Sequence, residues 1–158
     1  MTDLGSELVV VTGATGYVGG RLVPELLDEC YRVRCIVRTP ETLEDRSWRP
    51  QVEVVRADLL LSDQVGRALD GASRAFYLVH SMSVSSDFED LEAEMAEIFA
   101  TRAEEADLKQ IVYLGGLGDD RKSHSRHLSS RHRAVSYTHL RAHETLRYLV
   151  CRLLLEKK

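Results

Sequence analysis

The chain has 158 residues, 44% of them apolar, and a net charge of −4 at pH 7. That length predicts one domain with a real hydrophobic core, and no apolar run approaches the roughly 20 residues that a membrane-crossing helix needs. The scattered cysteines Cys30, Cys35 and Cys151 lack metal or disulfide spacing, so a zinc site is not expected and a reducing cytoplasm is.

Leu8 to Thr12 is a short β-branched run and predicts a first strand. It stops at the glycine-punctuated turn Gly13-Ala14-Thr15-Gly16-Tyr17-Val18-Gly19. Val18, Leu22, Val23, Leu26 and Leu27 then fall on one helical stripe. A strand–turn–helix gathers unpaired N–H groups and the positive end of the helix dipole at one point, which suits a diphosphate. Gly13 would permit the tight turn, Gly16 the approach of a pyrophosphate, and Gly19 close packing of helix on strand. The plainer alternative is an ordinary βα turn with spare glycines.

Tyr31–Val37 reads as the second strand, and Thr39-Pro40-Glu41 as a helix start with Thr39 as cap. Val52–Ala57 is the third strand, followed by a helix through Leu69 that Ser62 would cap. Arg74–Val79 is the fourth strand. A long helix from about Asp87 to Ala106 has an apolar face of Phe88, Leu91, Met95, Ile98, Phe99 and Ala103. Gln110–Leu114 is the fifth strand. Strands alternating with helices predict an α/β fold, a doubly wound parallel sheet of order 3-2-1-4-5 within residues 1–134.

The end of the second strand reports on cofactor type. A carboxylate about 20 residues past the glycines ordinarily takes the ribose hydroxyls of NAD. Here Arg38 follows Val37. A guanidinium pairs with the 2′-phosphate of NADP, so NADP is expected ahead of NAD. A solvated arginine at a strand end is the alternative.

Thr12-Gly13-Ala14-Thr15-Gly16-Tyr17-Val18-Gly19 resembles the T-G-x-T-G-x-x-G opening of extended and atypical short-chain dehydrogenases/reductases. Val37-Arg38-Thr39-Pro40, Tyr77–Met82 and Ile111–Gly118 make the likeness strongest to the NmrA-like and epimerase-like branch, over roughly residues 7–133. The resemblance implies a Rossmann domain, truncated after strand five, that binds a dinucleotide through Gly13 to Gly19, including Ala14, Thr15, Tyr17 and Val18. It implies adenine held by Asp58-Leu59, unless Asp58 only caps a turn. It also places Val79, His80, Ser81 and Met82 on the nicotinamide-ribose side, where His80 is either a contact or proton donor, or simply structural.

The family's catalytic groups do not carry over. Gly115-Gly116 stand where a serine is expected after strand five, and no Tyr-x-x-x-Lys occurs in the chain. His124 and His127 lie in the polar run Ser123–His132, which reads as a loop leading toward the usual catalytic helix. Catalytic residues therefore stay unassigned, the substrate stays unknown, and this fragment is expected to be inactive by itself.

Charge is divided unevenly: residues 1–120 hold 11 basic and 23 acidic side chains, residues 121–158 hold 10 and 2. A basic, histidine-rich end would ordinarily suggest nucleic acid or metal. Residues 135–158 read better as translated sequencing-library adapter. Val135–Thr145 can be back-translated to a transposase mosaic end with its adapter, and Leu149–Lys158 to the adapter's far end running into poly-A. The spacer between them fits an index barcode. An uninterrupted gene coding these residues natively would overturn that provenance. His139 and His143, despite their i,i+4 zinc spacing, lose weight accordingly, and neither a nucleic-acid nor a membrane partner is expected.

Two readings remain for the parent. One is an NADP-linked oxidoreductase or epimerase-type enzyme acting on a small molecule. The other is an NmrA-like regulator that senses NADP without turnover. Fold alone does not choose between them.

Overall fold

The computed structural model describes residues 7–79 and 88–114. Five strands make one sheet: β1 (Leu8–Thr12), β2 (Arg32–Val37), β3 (Glu53–Arg56), β4 (Arg74–Tyr77) and β5 (Gln110–Tyr113). Their spatial order is β3-β2-β1-β4-β5 and every pairing is parallel. The helices are α1 (Tyr17–Asp28), α2 (Ser62–Leu69) and α3 (Phe88–Glu105), with short 3-10 turns at Pro40–Leu43 and Arg49–Gln51. The expected doubly wound topology is met.

Strand β1 is buried along its whole length because helices cover both faces of the sheet. Alternation divides its side chains between two cores. Val9 and Val11 join Val23, Leu26, Val33, Cys35 and Trp48 under α1. Leu8 and Val10 join Val65, Leu69, Tyr77 and Phe99 under α2 and α3. Burial lifts the Cys35 thiol to about 12, so it packs as a small neutral hydrophobe.

Both long crossovers end the same way. After α1, the Cys30 and Tyr31 N–H groups donate to Leu27 O and Leu26 O, with Cys30 at positive φ. After α3, Asp107 and Leu108 repeat the pattern onto Glu104 O and Ala103 O. This left-handed stop turns the chain sharply into the next strand. Arg34 then pins β2 to its neighbours: it donates to Glu53 on β3 and to the Ala68 and Asp70 carbonyls at the end of α2.

Four details depart from the sequence reading. Ser62 is the first helical residue of α2, not its cap; Leu61 holds the cap position, and the Ser62 hydroxyl instead accepts from Arg102 Nε at 2.7 Å. Thr39 does precede the Pro40–Leu43 turn, but its side chain makes no capping bond. Among the described α3 side chains the buried ones are Glu92, Ala93, Ala96, Phe99 and Ala103, while Leu91 is exposed; that of Phe88 lies outside the description. Val18, placed on the apolar stripe of α1, is exposed as well. The small alanines let α3 pack against α2.

Candidate dinucleotide site

Order β3-β2-β1-β4-β5 reverses direction between β1 and β4, so the loops leaving these strands diverge and open a crevice at their carboxyl ends. The glycine turn fills one wall of it. Gly13 has φ +72°, and a Cβ there would meet Leu78 O at 3.0 Å, so glycine both permits the turn and lets the end of β4 approach. The Gly16 N–H closes the turn onto Gly13 O at 3.0 Å. A Cβ on Gly19 would lie 2.3 Å from Gly13 O, so α1 packs on the turn backbone to backbone.

Gly16 occupies the N-cap of α1, where it offers no side chain to satisfy the first-turn donors. No acidic residue lies in that first turn either. The N–H groups of Tyr17, Val18 and Gly19 and the positive helix pole are thus left for an external anion. Ala14 is fully buried, whereas Thr15, Gly16, Tyr17 and Val18 are exposed along the mouth. The Tyr17 ring lies under the Arg21 guanidinium at 4.5 Å.

Thr12 secures the opposite wall. It is fully buried; its hydroxyl donates to Phe76 O at 3.3 Å and accepts the Leu78 N–H at 3.0 Å. One side chain therefore extends the β1–β4 ladder by a step beyond its last backbone pairing. Val79 follows, half-buried against the core under α2 and α3. His80, Ser81 and Met82 lie outside the described residues, as do Gly115-Gly116, His124, His127 and the segment 135–158.

Arg38 stands exposed directly after β2, with no partner among the described residues. Arg46, which sequence reasoning passed over, reaches the glycine turn: its Nη2 donates to the Thr15 carbonyl at 2.9 Å. Its guanidinium also covers Gly20, where a Cβ would lie 3.2 Å from Nη1. The sequence carried no signal for this contact, because it depends on how the turns after β2 fold back over α1.

Asp58 and Leu59 follow β3 in an ordered turn. Asp58 Oδ1 accepts the Leu60 N–H at 3.0 Å, Asp58 O accepts from Leu61, and Leu59 is buried. Asp58 thus does cap a turn, with its second carboxylate oxygen left over. Tyr77 and Tyr113, at the ends of β4 and β5, stack with ring centroids 5.9 Å apart. Burial, then the neighbouring Tyr113 and Glu92, push the Tyr77 hydroxyl above its ordinary 10, so it stays protonated and is unsuited to act as a base. No cluster of metal-ligating side chains occurs among the described residues, and no helix among them is long and apolar enough to cross a membrane.

A parallel doubly wound sheet with a bare helix N-terminus over a glycine turn defines the Rossmann class of dinucleotide-binding domains. A family profile described as NAD(P)H-binding matches residues 13–150, and the chain belongs to that family. Cinnamoyl-CoA reductase 1 of Petunia hybrida is 28% identical over 128 residues, spanning 75% of this chain and 38% of that protein. Dihydroflavonol 4-reductase of Hordeum vulgare is 30% identical over 125 residues, 70% of this chain and 35% of that protein. A 3 beta-hydroxysteroid dehydrogenase/isomerase of Mycobacterium tuberculosis is 40% identical over 76 residues, 48% of this chain and 19% of that one.

Among solved structures, the NADP(H) complex of the Citrobacter sp. triphenylmethane reductase superposes with a TM-score of 0.68 at 22% identity, covering 82% of this chain and 44% of that one. The chain therefore spans less than half the length of these relatives. The fold and cofactor class expected from the resemblance are met: this is an NAD(P)-binding domain with a Rossmann-type sheet.

Proposed function

We propose that the chain is the cofactor-holding part of an NADP-dependent oxidoreductase that acts on a small organic molecule in the cytoplasm. The observation that carries the cofactor preference is Arg38, an exposed cation immediately after β2, where NAD-specific domains use a carboxylate. Arg46, hydrogen-bonded to the Thr15 carbonyl, supplies a second positive charge at the glycine turn. A 2′-phosphate would gain charge-assisted hydrogen bonds there, and a diphosphate would rest against the first turn of α1.

A nicotinamide dinucleotide supplies or accepts hydride when bound; this chain's residues hold and orient it. Gly13, Ala14, Thr15, Gly16, Tyr17, Val18 and Gly19 form the diphosphate cradle, Asp58 and Leu59 the adenine contact, and Val79 with His80 and Ser81 the nicotinamide-side wall. A second reading, an NADP sensor without turnover, draws support from Gly115-Gly116 and the lack of any Tyr-x-x-x-Lys in the chain.

Thermal-shift titration tests the cofactor assignment. NADPH is expected to stabilise the chain more than NADH, by an affinity ratio of about tenfold or more for a charged hydrogen-bonded pair. Arg38→Asp should erase the difference. Equal shifts for both cofactors before and after the mutation would refute the assignment. Consumption of NADPH against a carbonyl panel, with the full-length parent, separates enzyme from sensor.

A further inference from the structure

Helix α2 begins without a side-chain cap, and its third residue, Gln64, is turned to another use. Gln64 Oε1 accepts the backbone N–H of Asp58 at 2.9 Å, reaching back six positions. In a capping box the residue at this helical position bonds the N-cap N–H; here the N-cap is Leu61, and the bond goes three residues further upstream.

This bond completes a fixed turn. Asp58 N–H is held by Gln64, Asp58 O by the Leu61 N–H, and Asp58 Oδ1 by the Leu60 N–H. Two polar groups of the turn have no partner among the described residues: Asp58 Oδ2, an acceptor, and the Leu59 N–H, a donor. They belong to consecutive residues at the carboxyl end of β3. An acceptor beside a donor matches the Watson–Crick edge of a 6-aminopurine, which offers an N6 amino donor beside the N1 acceptor. A 6-oxopurine presents the reverse pattern, O6 acceptor beside N1–H donor, and meets like groups at both positions.

We infer that Gln64 is a positioning residue for base selection. It fixes the Asp58–Leu59 peptide so that acceptor and donor face the nucleotide together, and thereby sets the preference for adenine over 6-oxopurine dinucleotides. Gln64 itself does not touch the base. The inference rests on the assignment of Asp58-Leu59 to the adenine end, and the test separates failure of the two.

The test compares dissociation constants of NADPH, NADH and the hypoxanthine analogue of NADPH for the 158-residue chain and two variants. The parent should bind NADPH more tightly than the hypoxanthine analogue. Gln64→Met, which keeps the stem but loses the acceptor, should reduce that ratio by about three- to tenfold, the value of one hydrogen bond. Its NADPH-to-NADH ratio should not change, since Arg38 follows β2 and makes no contact with the Asp58–Gln64 turn among the described residues; general loosening of the fold would lower both ratios. Gln64→Glu restores an acceptor and should retain base discrimination, and it decides the matter if the methionine variant fails to fold. Undiminished discrimination in Gln64→Met overturns the role of Gln64 while leaving the adenine assignment standing, as does lost discrimination in a folded Gln64→Glu. A parent that binds both bases equally overturns the adenine assignment and the inference with it.

Discussion

Gly19→Ala presses directly on the first βα corner. The added Cβ would sit 2.3 Å from Gly13 O and 2.8 Å from both Gly13 C and Ala14 Cα. These are backbone atoms, so no side chain can swing away. Restoring ordinary contact requires α1 to retreat from the turn by about 1 Å. Such overpacking costs about 3 kcal/mol at the upper end of its usual range, while alanine in a helix returns about 1 kcal/mol. The net loss of about 2 kcal/mol corresponds to a fall in melting temperature of about 4–8 °C for a chain of this size. Retreat of the helix also carries its first-turn N–H groups away from a diphosphate, so NADPH affinity should fall with stability. Gly20→Ala is the internal control, because its Cβ meets only the mobile end of Arg46 at 3.2 Å and the Ala14 carbonyl at 3.5 Å. Thermal unfolding followed by circular dichroism, with and without NADPH, reads both variants. A Gly19→Ala protein as stable and as tightly binding as Gly20→Ala would refute the close-packing argument.

Thr12→Val removes both bonds that the buried hydroxyl makes to β4, leaving the Leu78 N–H without that partner. It should lower stability by about 1–3 kcal/mol in chemical denaturation, and Thr12→Ser should recover most of the loss; a neutral valine would show that the latch is dispensable. The Glu53 carboxyl is held below its ordinary 4.5, first by the Arg34 hydrogen bond, with Arg32 adding to it against the opposing effect of burial. A depressed native pKa means that this contribution is complete above 4.5 and is lost as pH falls through the lower, native value. Glu53→Gln should therefore melt below the parent at pH 7 and converge on it in acid. Because Glu53 itself and Arg32 are exposed, even though Arg34 is mostly buried, only a small gap is expected; a gap that widens in acid would contradict the sign.

Strand order and the location of the glycine corner were legible because both follow from local patterning. A β-branched run, three glycines at fixed spacing and an apolar helical stripe leave few alternatives once crossovers must be right-handed. The positions of Arg38 and Asp58 just past the ends of β2 and β3 were legible for the same reason, since both strand ends could be placed; their roles remain proposals. Ser62 was misread as a cap because sequence proximity to a helix start says nothing of Arg102, 40 positions away, which claims its hydroxyl. The α3 face was misread at Leu91 because periodicity gives a stripe but not where along the helix packing begins. His80 and Ser81 rest on resemblance alone.

The sequence by itself determined a parallel α/β domain with an anion-receptive first turn, since each of those properties is written within a dozen neighbouring residues. Only the tertiary structure decided which distant groups meet around the candidate site. Arg46 meets Thr15 across 31 positions, Thr12 meets Leu78 across 66, and Gln64 turns back to Asp58 instead of capping its own helix. Such contacts depend on the relative placement of whole elements, which hydrophobic burial fixes collectively and no local pattern encodes.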